Sequence, residues 1–274
     1  MVSPCPAESR LEERYSGEWT MKKLNAAFAL ILAAAGSAAH ADDLADIRKA
    51  GVLKIGTEGT YAPFTYHDAA GGLTGFDVEI GQAIAAKLGV KPQFVEGKWD
   101  GLIAGLDVKR YDVVINEVAI TDARKVKYDF SVPYIVSKAV LIVRDDNRDI
   151  KRFEDLKGRK SANTLTSNFG KLAQRYGAEI VPTQGFNESV ALLESGRVET
   201  TINDSLSFLD FKKKQPKSRL KVAATEANGD ASGVLLRKGN PELKAAIDKA
   251  LASIKSDGTY QKISHKYFGA DVSR

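Results

Sequence analysis

The residue types able to do chemistry in this chain are mostly acids, amides and aromatics, with one well-placed arginine. Arg124 stands in Ile120-Thr121-Asp122-Ala123-Arg124, just after the apolar run at 112–115. A guanidinium presents paired planar donors that match a carboxylate bidentately. By type alone, however, Arg124 is one exposed arginine among 40 basic residues. Asp204 follows the β-rich run at 200–202 and by itself reads as the N-cap of a helix starting near Leu206. Thr166-Ser167-Asn168 also precedes a helical pattern. Free N–H groups at a helix start favour an anion, and Ser167 or Asn168 can equally serve as a plain cap. Tyr61, Trp99 and Phe76 offer apolar walls, although such rings fill cores as readily as pockets. Other chemistries lack their residues. His67 and His265 have no metal-ligand spacing, and neither a G-x-S-x-G elbow nor a G-x-x-x-x-G-K phosphate loop occurs.

Stepping from these residues to the chain that carries them, 274 residues at 43% hydrophobic and 27% charged suit one or two globular domains. The net charge of +5 is modest, and acids interleave with bases. The only dense basic run, Lys212-Lys213-Lys214, reads as a solvated surface, which argues against a nucleic-acid partner. Met21-Lys22-Lys23 followed by the apolar run 26–35 and Ala39-His40-Ala41 has the form of a signal peptide over 21–41, cleaved after Ala41. The apolar run is shorter than the roughly 20 residues of a spanning helix. Residues 1–20 read as an over-called start or a non-native extension. Cleavage removes Cys5, the only cysteine, so the mature chain has no disulfide, no thiol and no cysteine to take a lipid.

Short β-rich runs alternate with helical patterns along the remainder. Residues 52–55, 93–95 and 112–115 read as buried strands. Between them, Phe76, Ile80, Ala83, Ile84 and Leu88 share a helical face that Gly89 terminates, and Trp99, Leu102, Ile103 and Leu106 share another. A second set follows, with helices at 153–156, 171–176 and 190–193 and strands at 180–181 and 200–202. A strand at 233–236 and a long helix from Pro241 through Ile254 complete the pattern. Such alternation predicts α/β layers around mostly parallel sheets.

Residues 55–66 read IGTEGTYAPFTY, residues 71–89 read GGLTGFDVEIGQAIAAKLG, and residues 118–134 read VAITDARKVKYDFSVPY. Together these resemble the family 3 extracellular solute-binding proteins that serve polar amino-acid importers. Trp99, Asn116 and the ending Gly269-Ala270-Asp271-Val272 are similar to the cystine-binding branch. The resemblance implies a two-lobed periplasmic binding protein of the type II, Venus-flytrap kind, each lobe a mixed, mostly parallel sheet flanked by helices. It places lobe one at 42–136 and 231–274 and lobe two at 137–230, joined by two crossing strands. It implies that Arg124 clamps a ligand carboxylate with help from Ser167 and Asn168, and that Asp204 takes the ammonium. Tyr61 then lies over the ligand side chain, Trp99 and Phe76 form walls, and Glu58 sits at the rim. Ala119 stands where Thr or Ser is usual, and Glu117 where Gln, Gly or Ser is usual, which adds a carboxylate near the pocket. Ser161-Ala162-Asn163-Thr164 replaces an apolar strand, and Glu199 replaces an Asp. The implied role is a monomeric periplasmic receptor, not an enzyme and without cofactor, that delivers cystine to a membrane-embedded ABC permease. Cysteine, glutamine, arginine or lysine are alternative ligands. A cyclohexadienyl-dehydratase-like enzyme on the same fold is the competing class, with Glu117 or Glu58 as its acid.

Overall fold

The computed structural model describes residues 43–273. The expected extension, signal peptide and cleavage point lie outside the described residues. Two five-stranded sheets organise the rest. The first is ordered Lys91–Glu96, Val52–Thr57, Val113–Val114, Leu235–Arg237, Tyr128–Phe130. Val52–Thr57 runs parallel to both its neighbours, and Leu235–Arg237 runs antiparallel to both of its own. Four strands therefore point one way and Leu235–Arg237 points the other. The second sheet repeats this plan, in the order Glu179–Pro182, Lys160–Asn163, Thr200–Asp204, Ala139–Arg144, Leu220–Thr225, with Ala139–Arg144 as the reversed strand.

The chain passes between the sheets twice, through Ile135–Ser137 and Asp230–Ser232. These two segments pair antiparallel, with Val136 opposite Ala231. The C-terminal tail braces this ribbon, since Val136 N donates to Val272 O at 2.9 Å.

The helices form where the apolar period requires them. Phe76–Leu88 buries Phe76, Val78, Ile80, Ile84 and Ala85 and packs on Pro241–Ser256, which turns Leu243, Ile247, Ala250, Leu251 and Ile254 inward. Gly89 stops the first of these in a left-handed conformation, φ 75°, with its N–H returned to the last turn. At the other end Gly75 has φ 132°, and a Cβ there would lie 2.2 Å from Phe64 O. That close approach lets Phe76 N and Asp77 N donate to Pro63 O and Phe64 O, each at 2.9 Å, so the turn carrying Tyr61 is fixed to the helix start. The segment 153–156, expected as a helix, is one 3₁₀ turn, Phe153–Leu156. The last strand is Leu235–Arg237, starting two residues later than the apolar pattern suggests. Arg237 leaves it to pair with Asp43 at 2.6 Å and to donate to Leu106 O and Tyr111 O, which docks the helix Asp43–Ala50.

Candidate functional site

Ligands of open α/β sheets bind at the carboxyl ends of the strands. In the first sheet, Glu58 and Asn116 emerge there side by side, because Val52–Thr57 and Val113–Val114 are parallel neighbours. Asn116 Oδ1 accepts from Glu58 N at 2.8 Å and Thr57 Oγ1 at 3.1 Å, while its Nδ2 donates to Glu58 Oε2 at 2.6 Å. In the second sheet, Asn163 and Asn203 occupy the corresponding ends.

These groups face one another across a cavity lined also by Tyr61, Trp99, Glu117, Ser167 and Asn168. It spans about 440 Å³ of space between atoms, including its mouth to solvent, and about 40 Å³ admits the centre of a water molecule. The bodies are drawn close around it. Tyr61 OH donates to Asn203 Oδ1 at 2.9 Å, and Ser207 Oγ donates to Ala62 O at 2.8 Å.

The cavity is acidic. Burial pushes the Glu58 carboxyl up to about 7, against the Asn116 hydrogen bond that holds it down; the Asp100 charge adds to the rise. Burial, with the nearby Asp204 and Asp77 charges, drives Glu117 well above the usual carboxylate range. Glu117 sits on a left-handed backbone, φ 51°, uncommon for a non-glycine residue. Its Oε1 accepts from Ser137 Oγ at 3.3 Å and Ser232 Oγ at 3.1 Å, one hydroxyl from each connecting strand.

Arg124 lies in the short helix Asp122–Lys125, whose N-cap Thr121 accepts from Arg124 N at 3.3 Å. Its Nη1 donates to Ala119 O at 2.8 Å and its guanidinium stands 5.3 Å from the Trp99 ring centroid. Burial lowers its pKa to about 10, so it stays charged at neutral pH. It faces a recess shared with Thr121, Lys171 and Arg175, next to the cavity; Asn168 lines both spaces.

Several expected site residues take other places. Asp204 is fully buried and caps the helix Ser205–Lys214, accepting from Leu206 N at 2.8 Å and Ser207 N at 3.1 Å. Its second oxygen accepts from Ser137 Oγ, and burial raises its pKa. Asn203, one residue earlier, lines the cavity in its stead. Phe76 is not a wall of the cavity. It is fully buried against Tyr134, Tyr260, Tyr267 and Phe268, because the first helical position points into the lobe core. Ala119 turns its methyl into the protein and serves Arg124 through its carbonyl. Ser167 caps its helix by accepting from Gly170 N at 3.0 Å while also lining the cavity, and the Thr166 amide is taken by the Asp100 carboxylate. Asn203, Gly185, Phe186 and Ser189 line the cavity with no sequence pattern to mark them, and Asn163, marked only as part of a polar strand, lines it too. The signal for the two asparagines was their position at strand ends beside residues already chosen.

Comparisons with known proteins agree with this layout. The model of bacterial extracellular solute-binding proteins, family 3, matches residues 53–270. The L-cystine-binding protein TcyA of Bacillus subtilis is 45% identical over 239 residues, 87% of this chain and 89% of that protein. Among solved structures, an ancestral arginine-binding protein bound to arginine is similar at 40% identity and a TM-score of 0.76, covering 80% of this chain and 99% of that one. The L-cystine solute receptor of Neisseria gonorrhoeae in its unliganded open conformation is 43% identical, covering 84% and 98%, with a TM-score of 0.56.

Proposed function

Because the chain belongs to the family 3 bacterial extracellular solute-binding proteins, we propose that it captures an amino acid between its two lobes in the periplasm and hands it to an ABC permease. The lobes are 42–136 with 231–274, and 137–230. The observation that carries this reading is the cavity itself, walled by both sheets and closed by hydrogen bonds between them. Ligand contacts made by both lobes stabilise the shut form, which is how a hinge converts binding into a signal for a partner. The better overlay on the arginine-bound protein than on the open receptor, despite slightly lower identity, supports a shut arrangement. With so little room inside, the lobes must part to admit any amino acid.

The ligand we propose is cystine. Glu58 and Glu117 line the cavity, and neither lysine nor arginine lines it. Burial holds both carboxyls toward their neutral form, and a ligand with a second cationic group, which lysine and arginine carry as well as cystine, favours ionising them. Cystine carries two ammonium groups, and the similarity to TcyA and to the gonococcal receptor supports it. Arg124, charged and stacked on Trp99, receives a carboxylate, and Tyr61 covers the side chain. Asp204 meets the ammonium only after releasing part of its present pairing. Function as a receptor rather than an enzyme follows from the same reading, since it assigns the acids to charge pairing. A thermal-shift panel of cystine, cysteine, arginine, lysine and glutamine tests it. The expected result is that cystine raises the melting temperature most at equal concentration and that Arg124→Ala abolishes the shift. A larger shift with arginine overturns cystine alone; no shift with any amino acid overturns the receptor.

A further inference from the structure

Asp100 is the second residue of the helix Trp99–Asp107, which packs on the first sheet. Its carboxylate reaches across the cleft to the loop that follows Lys160–Asn163 in the second sheet. There Oδ1 accepts from Thr166 N at 2.9 Å and Thr166 Oγ1 at 2.8 Å, and Oδ2 accepts from Leu165 N at 3.3 Å. Two consecutive backbone amides and a hydroxyl thus converge on one carboxylate. Elsewhere across the cleft, Tyr61 to Asn203 and Ser207 to Ala62 are bonds between neutral groups, Asn187 Nδ2 approaches Thr60 O at 3.4 Å, and the Lys214 ammonium stands 4.6 Å from the Tyr66 ring centroid. Charge-assisted hydrogen bonds are shorter and roughly twice as strong as neutral ones.

The chemistry is conditional on closure. Leu165 and Thr166 are exposed and Asp100 lies on the outer rim, so in an open molecule water serves all three groups. No desolvation penalty blocks opening, and none of these bonds exists until the lobes meet. Asp100 is also adjacent in sequence to Trp99, which lines the cavity and underlies Arg124. The loop it grips leads directly into Ser167 and Asn168, which line the cavity from the other side. The bond therefore sets the spacing between the two walls of the site.

We infer that Asp100 is a positioning residue that latches the lobes shut and so sets how long a ligand is retained. The inference rests on the two-lobe capture proposed above. Its readout in ligand exchange is specific: a latch that forms on closure slows release and leaves capture nearly unchanged.

The test uses the full mature chain in three forms, wild type, Asp100→Ala and Asp100→Asn, with two measurements. Small-angle scattering gives the radius of each in buffer and with saturating cystine. Stopped-flow fluorescence gives association and release rates. The expected result is a larger radius for Asp100→Ala than for wild type, with release about tenfold faster and association within twofold. Asp100→Asn, which keeps one acceptor and loses the charge, falls between. Equal radii and release rates within twofold of wild type in both variants overturn the latch. If wild type binds no amino acid, the receptor reading fails while the radii in buffer still decide the latch. A lowered melting temperature without a change in radius or release assigns Asp100 a merely structural role and overturns it as well.

Discussion

The two sheets share one plan and differ in what fills them. In the first, the central strands carry Leu53, Ile55, Val113, Val114, Leu235 and Leu236, all buried. In the second, the two parallel central strands carry Ser161, Asn163, Thr200 and Thr201, also buried, while the reversed strand keeps Val140, Leu141, Ile142 and Val143. Those polar groups satisfy one another and the backbone. Ser161 Oγ donates to Asn163 Oδ1 at 2.7 Å, Asn163 Nδ2 to Ile202 O at 2.8 Å, Thr200 Oγ1 to Ile142 O at 3.0 Å, and Thr201 Oγ1 to Ala162 O at 2.6 Å. The same topology is thus held in the first lobe by non-directional burial and in the second by burial along the reversed strand together with directional bonds from its two parallel central strands. The first tolerates apolar exchange of similar volume; the second tolerates little change of chemistry at fixed volume.

The sharpest way to break this contrast is to remove volume from the first lobe. Phe76→Ala deletes a fully buried ring packed on four others. We expect a loss of about 3–5 kcal/mol in urea unfolding. A loss no greater than that of the polar substitutions described below would break the contrast.

The first lobe also holds the exception that sharpens it. Both oxygens of Asp77 are buried without a hydrogen-bond partner. The Glu117 amide donates to the Tyr134 hydroxyl oxygen at 3.2 Å, and these two groups lie near enough to Asp77 to pull its carboxyl down only in part. Burial therefore raises the Asp77 carboxyl to about 7, with the Asp204 charge adding to the rise. The folded state holds this proton more tightly than the unfolded chain, so stability is greatest below about pH 4 and falls as pH rises through about 7. Asp77→Asn removes that penalty, on the order of 4 kcal/mol at pH 8 for a carboxyl raised from 3.8 to about 7. A stability–pH curve from pH 4 to 8 that keeps its slope in the variant would sink the assignment.

The smallest expected effect belongs to the polar strands. Asn163→Ala leaves Ile202 O and Ser161 Oγ each short of one bond and costs about 1–3 kcal/mol, and Thr201→Val about 1 kcal/mol. Chemical unfolding of the pair against wild type measures both. A gain in stability from Thr201→Val would show these central strands to be held by burial after all.

Much of this was legible in the chain. The helix from Phe76 to Gly89, the strands at 52–55 and 200–202 and the long helix from Pro241 announced themselves by period and punctuation. Tyr61, Trp99, Glu58, Glu117, Ser167 and Asn168 were named from the sequence and line the cavity. What escaped has a physical cause. Phe76 and Tyr61 are both aromatic residues in one short stretch, and only the turn at Gly75 decides which ring faces the core. Asp204 offered two chemistries, cap and counter-ion, and the local geometry makes it the cap. Asn203 and the grip of Asp100 on Thr166 arise from two segments far apart in sequence, whose meeting no local pattern records.

The seat of Leu235–Arg237 between Val113–Val114 and Tyr128–Phe130 bears on how the molecule is made. A chain delivered from its N-terminus presents residues 43–130 long before residue 237 arrives. Until then the first sheet has a gap at its fourth position, and the Asp43 carboxylate lacks its guanidinium. The second sheet, drawn wholly from 139–225, has all its strands in hand earlier. The first lobe is therefore completed by a long-range insertion, whereas the second is built from one continuous stretch of chain.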